Sequence, residues 1–245
     1  ILRLDGIWFK PDQFHTHNKL IKWAYDNSSE IIWQSEFDRQ MTEKHWGIRS
    51  GAVINNGMRL IDHTHTTSSE IAKIRESYDY VFVCSSNWHR QKRLKENIGL
   101  FLNIKREHNN SCLLVLGSNP DYHIDDNDIY YTGSISHEMC LQIYSIADWM
   151  IHLAWLDHCP NVVVEALSQK CPVICTDSGG THELVRSNGI ILPETRGYYY
   201  ELTDYDDPYE LLIEGDLDLS NRPNVDNSRV DIASVAQRYL RILEN

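Results

Sequence analysis

Apolar residues fall into short runs along most of this chain, and segments with helical periodicity separate the runs. This alternation is strongest after residue 78 and is typical of a parallel sheet with helices packed on it. It predicts an α/β doubly wound domain from about residue 78 to 245. The predicted strands are 80–85, 111–118, 128–133, 149–155, 171–177 and 189–193, and the predicted helices are 91–107, 136–147 (capped by Ser136), 161–170, a short one after Gly179-Gly180, and 229–243.

The first third of the chain has a weaker version of the same pattern. Strands are predicted at 1–4, 30–35 and 51–57, with helices at 16–27 and 35–46. Residues 58–77 are polar, rich in His, Thr and Ser, and weakly patterned, so we expect a connection between two lobes. His63 and His65 in this connection suggest a metal at first sight. No acidic or Cys ligand stands at matching spacing, so we expect a flexible linker instead.

Composition narrows the class of protein. The chain has 245 residues, 42% hydrophobic and 24% charged, which is typical of a globular protein with one large or two small domains. A formal net charge of −12 argues against a nucleic-acid partner. The pattern contains no apolar run of transmembrane length, no signal peptide and no indication of a membrane-surface association. The chain begins on a strand-like segment without Met, and we expect it to be part of a longer protein.

Six cysteines are present, and none is part of a CxxC pair. Most lie in or beside apolar runs, where a free thiol behaves as a small hydrophobic side chain. We therefore expect reduced cysteines and a cytoplasmic location.

A cluster of cations follows the first strong strand, in the segment SSNWHRQKRLK at residues 85–95. One interpretation is the solvated first turn of a helix. The other is an anion site, because a strand-to-helix junction presents unpaired backbone N–H groups at the carboxyl edge of the sheet. Repeated cations at a helix start are unfavourable by about 0.3–1 kcal/mol each, and an anionic ligand would offset that cost. Lys92 is the first candidate and Arg90 the second.

A pair of carboxylates lies in the segment LDHCPNVVVEAL at residues 156–167. Asp157 is predicted in a loop above the sheet edge, and Glu165 lies about one turn inside an apolar helix. Burying an unpaired carboxylate is costly, so Glu165 either points to solvent or accepts hydrogen bonds from the hydroxyls of a ligand.

The same segment predicts free amides at the start of its helix. Pro160 suits the first helical position, because its missing N–H would be unpaired there in any case. The N–H groups of Asn161, Val162 and Val163 would then point to the same edge as Lys92. Gly179-Gly180, after the next strand, either lets backbone approach a ligand closely or forms a tight turn.

These features together resemble the nucleotide-sugar-binding lobe of the retaining glycosyltransferases of family four, which have the GT-B fold with Rossmann-like domains. The resemblance rests on YYTGSISHEMCLQIYSIADWMIHLAWLDHCPNVVVEALSQKCPVICTDSGGTHELV, residues 130–185, and covers most of residues 78–193. The family signature is Glu-x7-Glu. This chain has Asp-x7-Glu, with Asp157 in the place of the first glutamate.

The resemblance implies a role for each matching position. Glu165 matches the acid that binds the ribose hydroxyls, and Lys92 matches the lysine that binds the diphosphate. The partner arginine of the family falls on Ser86, and Arg90 is a candidate substitute. Around the donor, the resemblance implies contacts from Ser134 and Ile135 at the base, from Asp157, Cys159, Pro160, Asn161 and Val162 at the sugar and phosphates, and from Gly179 and Gly180.

The resemblance also implies two lobes. Residues 1–62 match the end of an amino-terminal, acceptor-side lobe and the start of the linker, and residues 63–245 match the nucleotide-sugar-binding domain. The last helix, 229–243, is expected to pack back on the first lobe. Asp5, at the carboxyl end of a strand, either faces the cleft near the reacting centre or caps a turn.

The implied function is transfer of a sugar from a nucleotide-diphosphate sugar to a hydroxyl of a glycan, lipid or other acceptor, with retention of configuration. The sequence has no DxD-type motif at a strand end, so we expect no metal and no cofactor besides the donor substrate. Two alternatives stay open at this stage. One is a nucleotide-sugar-binding protein with little catalysis. The other is a different GT-B enzyme, such as a sugar-nucleotide epimerase or a phosphorylase.

Overall fold

The computed structural model describes residues 1–61, 68–213, 215 and 217–244. Two parallel sheets form its framework, one of three strands and one of six. The boundary expected at residues 62 and 63, and with it His63 and His65, lies outside the described residues.

The first sheet has the order β1-β2-β3, with all strands parallel, and comprises β1 (Leu2–Leu4), β2 (Ile31–Trp33) and β3 (Gly51–Val53). Its helices are α1 (Phe14–His17), α2 (Lys19–Asn27) and α3 (Glu36–Trp46). The hydroxyl of Ser35 accepts a hydrogen bond from the backbone N–H of Asp38 and so caps α3, which begins after the buried strand β2.

The second sheet contains the six remaining strands in the order β6-β5-β4-β7-β8-β9, again all parallel. Its strands are β4 (Tyr80–Ser85), β5 (Ser111–Leu116), β6 (Ile129–Gly133), β7 (Trp149–His152), β8 (Val173–Thr176) and β9 (Gly189–Leu192). Its helices are α4 (Ser69–Ser77), α5 (Leu94–Lys105), α6 (His137–Ile146), α7 (Asn161–Ser168), α8 (Thr181–Val185) and α9 (Ile232–Leu243).

Alternate strand residues face opposite sides, as the period of two requires. Val81 and Val83 of β4 belong to a core shared with α6 and α7, whereas Phe82 and Cys84 belong to a core shared with α5. Helices therefore cover both faces of the sheet, and the predicted α/β doubly wound fold is confirmed.

The strand order reverses between β4 and β7. Chain connections leave these two neighbouring strands in opposite directions, which opens a crevice above their carboxyl ends. The loops that follow them contain Lys92 and Asp157, so the topology places the two predicted site residues on one edge of the sheet.

Three local predictions need correction. Residues 69–77, expected to be part of an unpatterned connection, form α4, whose start is capped by the hydroxyl of Ser68. Strand β7 ends at His152, earlier than predicted, because the backbone N–H groups of Leu153 and Trp155 donate to Asn97 and Gln91 instead of to a neighbouring strand. Pro160 lies one residue before the first helical residue of α7, rather than in its first helical position.

Helix α9 contacts the first sheet. Its Val235 packs in a small core with Ile32 and Ile54, and the side chain of Arg238 donates to the backbone oxygen of Val53 at 2.6 Å. Among the helices that the structure describes, none is long and apolar enough to cross a membrane.

Candidate functional site

A cleft of about 410 Å³ lies between the two lobes, above the crevice in the second sheet. The loop after β1 forms one wall, from Asp5 to Phe9, and the loops after β4 and β7 form the opposite wall. The cleft is lined by Asp5, Gly6, Ile7, Trp8, Phe9, His89, Gln91, Lys92, Asp157, His158 and Tyr205. Of the residues to which the sequence analysis gave catalytic roles, Asp5, Lys92 and Asp157 line this cavity and Glu165 does not.

Lys92 and Asp157 form an ion pair on the wall of this cleft. The ammonium nitrogen of Lys92 lies 2.5 Å from Oδ2 of Asp157, and the two side chains are only 19% and 13% exposed. Below them is a residue that the sequence analysis missed, His152, whose Nε2 lies 3.5 Å from the same oxygen. A histidine inside the otherwise apolar run WMIHLAW was the signal that could have revealed it.

The charges around Asp157 set the protonation of this group. Burial alone would raise the pKa of the Asp157 carboxyl, but the attraction of Lys92 and His152 outweighs burial and lowers the pKa below its usual value. Burial lowers the pKa of His152, although Asp157 opposes this. At neutral pH the cleft wall therefore holds the charged carboxylate of Asp157 beside the neutral imidazole of His152.

Beside the cleft, charged side chains join the two lobes. Nδ1 of His158 contacts Oδ1 of Asp38, a fully buried carboxylate on α3. The carboxylate of Glu183 on α8 accepts hydrogen bonds from the backbone N–H groups of Glu36 and Phe37, at 2.6 and 2.8 Å. Since these N–H groups open α3, Glu183 satisfies amides that the helix itself leaves unpaired. These contacts hold the first lobe against the loop that contains Asp157.

Gly179 and Gly180 pack against that loop. A Cβ on Gly179, whose φ is +65°, would lie 2.4 Å from the backbone oxygen of Asp157. A Cβ on Gly180 would lie 1.9 Å from the backbone oxygen of His158 and 2.7 Å from Cβ of Ser35. Only glycine leaves room at both positions. The pair thus positions the Asp157 loop, and in this structure it approaches protein backbone closely.

The cations near Lys92 have different environments. Arg90 is not among the residues that line the cleft, and it pairs with Asp207 at 2.6 Å, with both side chains largely exposed. Arg93 is buried and forms an ion pair with Glu194, at 2.5 Å for the shorter of its two contacts. Of the two candidate cations, the structure brings only Lys92 to Asp157.

Glu165 lies apart from the cleft wall, on α7. Its Oε1 lies 3.2 Å from Nε2 of His137, at the start of α6, and its side chain is 19% exposed. Burial raises the pKa of this carboxyl, and His137 opposes the change. The first residues of α6 follow Ser134 and Ile135, so Glu165 lies at the side of the second lobe where the base pocket was predicted. Ser134 is exposed and Ile135 is half-buried.

The start of α7 lies near the first lobe. The side chain of Asn161 accepts a hydrogen bond from the amide of Asn56 at 2.8 Å, and Sγ of Cys159 lies 3.5 Å from the backbone nitrogen of Asn56. Pro160 is buried and Val162 is half-buried. The N–H of Val163 donates to the backbone oxygen of Pro160 at 3.1 Å, so it is not free as predicted.

Ser86 lies at the other side of the crevice, directly after β4. It is half-buried, and its hydroxyl donates to the backbone oxygen of Asn87 at 3.2 Å. Asp5 pairs with Arg3 while it lines the cleft. Within the described residues, no group of three His, Cys, Asp or Glu side chains is arranged to hold a metal ion.

Comparison with known proteins identifies the class. The profile of the family "Glycosyl transferases group 1" matches residues 67–207, more than half of the chain. The chain therefore belongs to the group 1 glycosyl transferases, and the fold is of the GT-B type. A search of curated protein sequences found no match.

Solved structures support the fold. The Anabaena protein HepE, solved in complex with UDP and glucose, superposes with a TM-score of 0.67 at 18% identity, over 99% of this chain and 70% of that one. Sucrose-phosphate synthase from Thermosynechococcus elongatus has a TM-score of 0.62 at 16% identity, over 94% and 61% of the two chains. The α,α-trehalose 6-phosphate synthase from Burkholderia multivorans has a TM-score of 0.65 at 11% identity, over 99% and 64%.

Proposed function

We propose that this protein transfers a hexose from a nucleotide-diphosphate sugar to an acceptor hydroxyl with retention of configuration, as a member of glycosyltransferase family four. The observation that carries the proposal is the cleft at the strand-order reversal, where Lys92, Asp157 and Asp5 meet. A lysine on a partly buried wall suits the departing diphosphate.

Electrostatic stabilisation of the leaving group is the step assigned to Lys92. Negative charge builds on the diphosphate as the bond to the sugar breaks, and a fixed ammonium group stabilises that charge without reorganising. In this proposal the backbone amides of Asn161 and Val162 at the start of α7 add the positive end of a helix dipole. Asp157 faces the same space and is the candidate to contact the sugar.

The remaining predicted residues are assigned to recognition of the donor. Glu165 would accept hydrogen bonds from the ribose hydroxyls, with Ser134 and Ile135 at the base. HepE was solved with UDP and glucose bound, which supports a nucleotide-sugar donor for a chain of the same fold. Asp5, on the wall formed by the first lobe, would face the acceptor.

We propose in addition that the reaction needs no metal ion or cofactor, because Lys92 and the α7 amides supply the positive charge. The six cysteines are free thiols in the structure, and five of them are buried, which favours action in the cytoplasm. A glycan, lipid or other hydroxyl compound would serve as acceptor. Activity that survives EDTA, and is not raised by added Mg²⁺ or Mn²⁺, is the expected result for metal independence.

Calorimetric titration with UDP, GDP and ADP tests the donor site. We expect one nucleotide to bind clearly better than the others, and binding of none would overturn the proposal. Hydrolysis of matching nucleotide sugars, followed by NMR, then tests the chemistry. A retaining enzyme first releases the anomer present in the donor, and release of the opposite anomer would exclude retention. Binding without turnover would indicate a donor-binding protein, and conversion of the donor to an isomeric sugar nucleotide would indicate an epimerase.

A further inference from the structure

His152 occupies an unusual position for a polar side chain. It is the last residue of β7 and is only 5% exposed. Its Nε2 is fully buried and has no hydrogen-bond partner among the described residues. Buried polar atoms are rarely left unpaired, and each one calls for an explanation. Oδ2 of Asp157 lies 3.5 Å from this nitrogen, at the limit of hydrogen-bond distance.

Oδ2 of Asp157 is thus approached by two nitrogens. The ammonium of Lys92 holds it at 2.5 Å from the cleft side, and the imidazole of His152 lies behind it at 3.5 Å. A diphosphate in the cleft would compete with Asp157 for the same ammonium group. The Asp157 carboxylate, which is mostly buried, would then lose its strongest partner, and an unpaired buried carboxylate is costly.

We propose that His152 takes up a proton when a diphosphate draws Lys92 away from Asp157, and then pairs with the carboxylate in its place. This inference rests on the proposed function, because it takes the diphosphate of the donor as the group that moves Lys92. One proton passes from solvent to Nε2 of His152 for each ligand bound. His152 is a positioning residue, since it would hold Asp157 in place while Lys92 serves the ligand.

The environment of His152 is consistent with proton uptake when Lys92 moves. Burial lowers the pKa of His152 most, the positive charge of Lys92 lowers it further, and the carboxylate of Asp157 raises it. When Lys92 moves outward, one of the causes that lower the pKa of His152 is removed, and Asp157, which raises this pKa, remains. His152 should therefore gain a proton. Cys175, its neighbour on β8, is kept neutral by burial, which raises the pKa of the thiol, and His158 faces Asp38.

The first test needs no nucleotide. In Lys92→Ala, Asp157 has already lost its lysine, so His152 should titrate at a higher pH than in the wild type. NMR of protein with labelled histidine rings measures the pKa of His152. The His152 signal is assigned as the one that is missing from the spectrum of His152→Gln, or of His152→Asn if that variant folds better. Arg90→Ala is the matched control, because it removes one exposed cation from the same loop. An equal pKa of His152 in Lys92→Ala and the wild type overturns the proposal.

The second test measures protons taken up with the ligand. Titration with UDP, GDP and ADP in buffers of different ionisation enthalpy gives the number of protons bound per nucleotide. We expect the wild type to take up about one proton more than His152→Gln near neutral pH. The nucleotide's own phosphate ionisation is common to both proteins and cancels in the difference. If the nucleotide binds and both proteins take up the same number of protons, the inference about His152 is overturned and the proposed donor site stands. Binding of none of the three overturns the proposed function, and with it the coupling to ligand.

Discussion

Lys92 and Arg93 are neighbours in the sequence, yet they belong to different regions of the molecule. The Lys92 side chain lines the cleft, is 19% exposed and has one carboxylate partner, Asp157. The Arg93 side chain is completely buried, and its guanidinium contacts the Glu194 carboxylate and the backbone oxygen of Tyr209, the latter at 2.9 Å. Both residues form an ion pair, but only one of the two pairs is open to a ligand.

The backbone explains this difference. Lys92 ends a 3₁₀ turn, and Arg93 follows it in the left-handed conformation, with a φ of 54°, directly before α5. This reversal sends the two side chains in opposite directions. A cluster of cations in the sequence is therefore not a single site. The cleft cation pairs with Asp157 on the wall of a cavity, whereas the core cation pairs with Glu194 inside the protein.

Removing the core cation should produce the largest effect on stability. Arg93→Met leaves the Glu194 carboxylate, which is 6% exposed, buried without its partner, and breaking a buried pair in this way costs about 3–5 kcal/mol. Urea unfolding measures the loss. In the double variant Arg93→Met, Glu194→Met much of this loss should be recovered, because no lone charge remains. A loss below about 1 kcal/mol in the single variant would contradict the assignment of Arg93 to the core.

Removing the cleft cation should reduce activity more than stability. Lys92→Ala should lower kcat by about 10²–10³-fold, the typical cost of one donor that stabilises a developing anion. Steady-state hydrolysis of the preferred nucleotide sugar measures it. The matched control is Arg90→Ala, whose exposed pair with Asp207 contributes about 0–1 kcal/mol, so kcat should stay within a few-fold of the wild type. Similar losses in both variants would show that the loop acts as one cationic surface.

Much of the second lobe could be predicted, because its strands are apolar runs bounded by clear helical segments. Six strands, their order along the chain and the placement of Lys92 and Asp157 on one sheet edge followed from the pattern. The different environments of Arg90, Lys92 and Arg93 could not be predicted, since one left-handed residue decides them. Helix α4 was missed because it is short, with nine residues, and directly follows a polar segment rich in His, Thr and Ser.

Contacts between segments that are distant in the sequence could not be predicted either. Asp38 and His158 are 120 positions apart, and Glu183 and Glu36 are 147 apart, so no local spacing relates them. Gly179-Gly180 was noted as a place of close approach. Its partner is the Asp157 loop, which only the three-dimensional arrangement of β7 and β8 reveals.

A variant of Glu165 tests the proposed recognition of the ribose separately from that of the diphosphate. Glu165→Gln should weaken binding of the preferred nucleoside diphosphate by about tenfold, because a hydrogen bond to a charged acceptor contributes more than one to a neutral amide. The 2′-deoxy form of the same nucleotide is the control. The wild type should bind the 2′-deoxy form less well than the ribonucleotide. Glu165→Gln should bind the two forms about equally well. Calorimetry measures all four affinities, and an equal 2′-hydroxyl effect in both proteins would place Glu165 away from the ribose.

The contact between the lobes should make the smallest contribution, and a pH-dependent one. Burial would lower the pKa of His158, but Asp38 outweighs burial and raises it above the usual value. The stabilisation is therefore complete below about pH 6.5, the usual value in an unfolded chain, and is lost as the pH rises through the folded pKa. The amide of glutamine can still donate to the carboxylate of Asp38, so His158→Gln should lower the free energy of unfolding by only about 1 kcal/mol at pH 6. The difference should shrink at alkaline pH.

Urea unfolding of the wild type and His158→Gln from pH 5.5 to 9 measures this difference. The control is His123→Gln, because His123 is exposed and lies against the ring of Tyr131, with 4.1 Å between ring centroids, instead of on a carboxylate. Its effect should not vary with pH in the same way. A difference for His158→Gln that grows with pH would mean that Asp38 does not hold His158 in its charged form. The lobes would then be joined beside the cleft mainly by Glu183 and the backbone of α3.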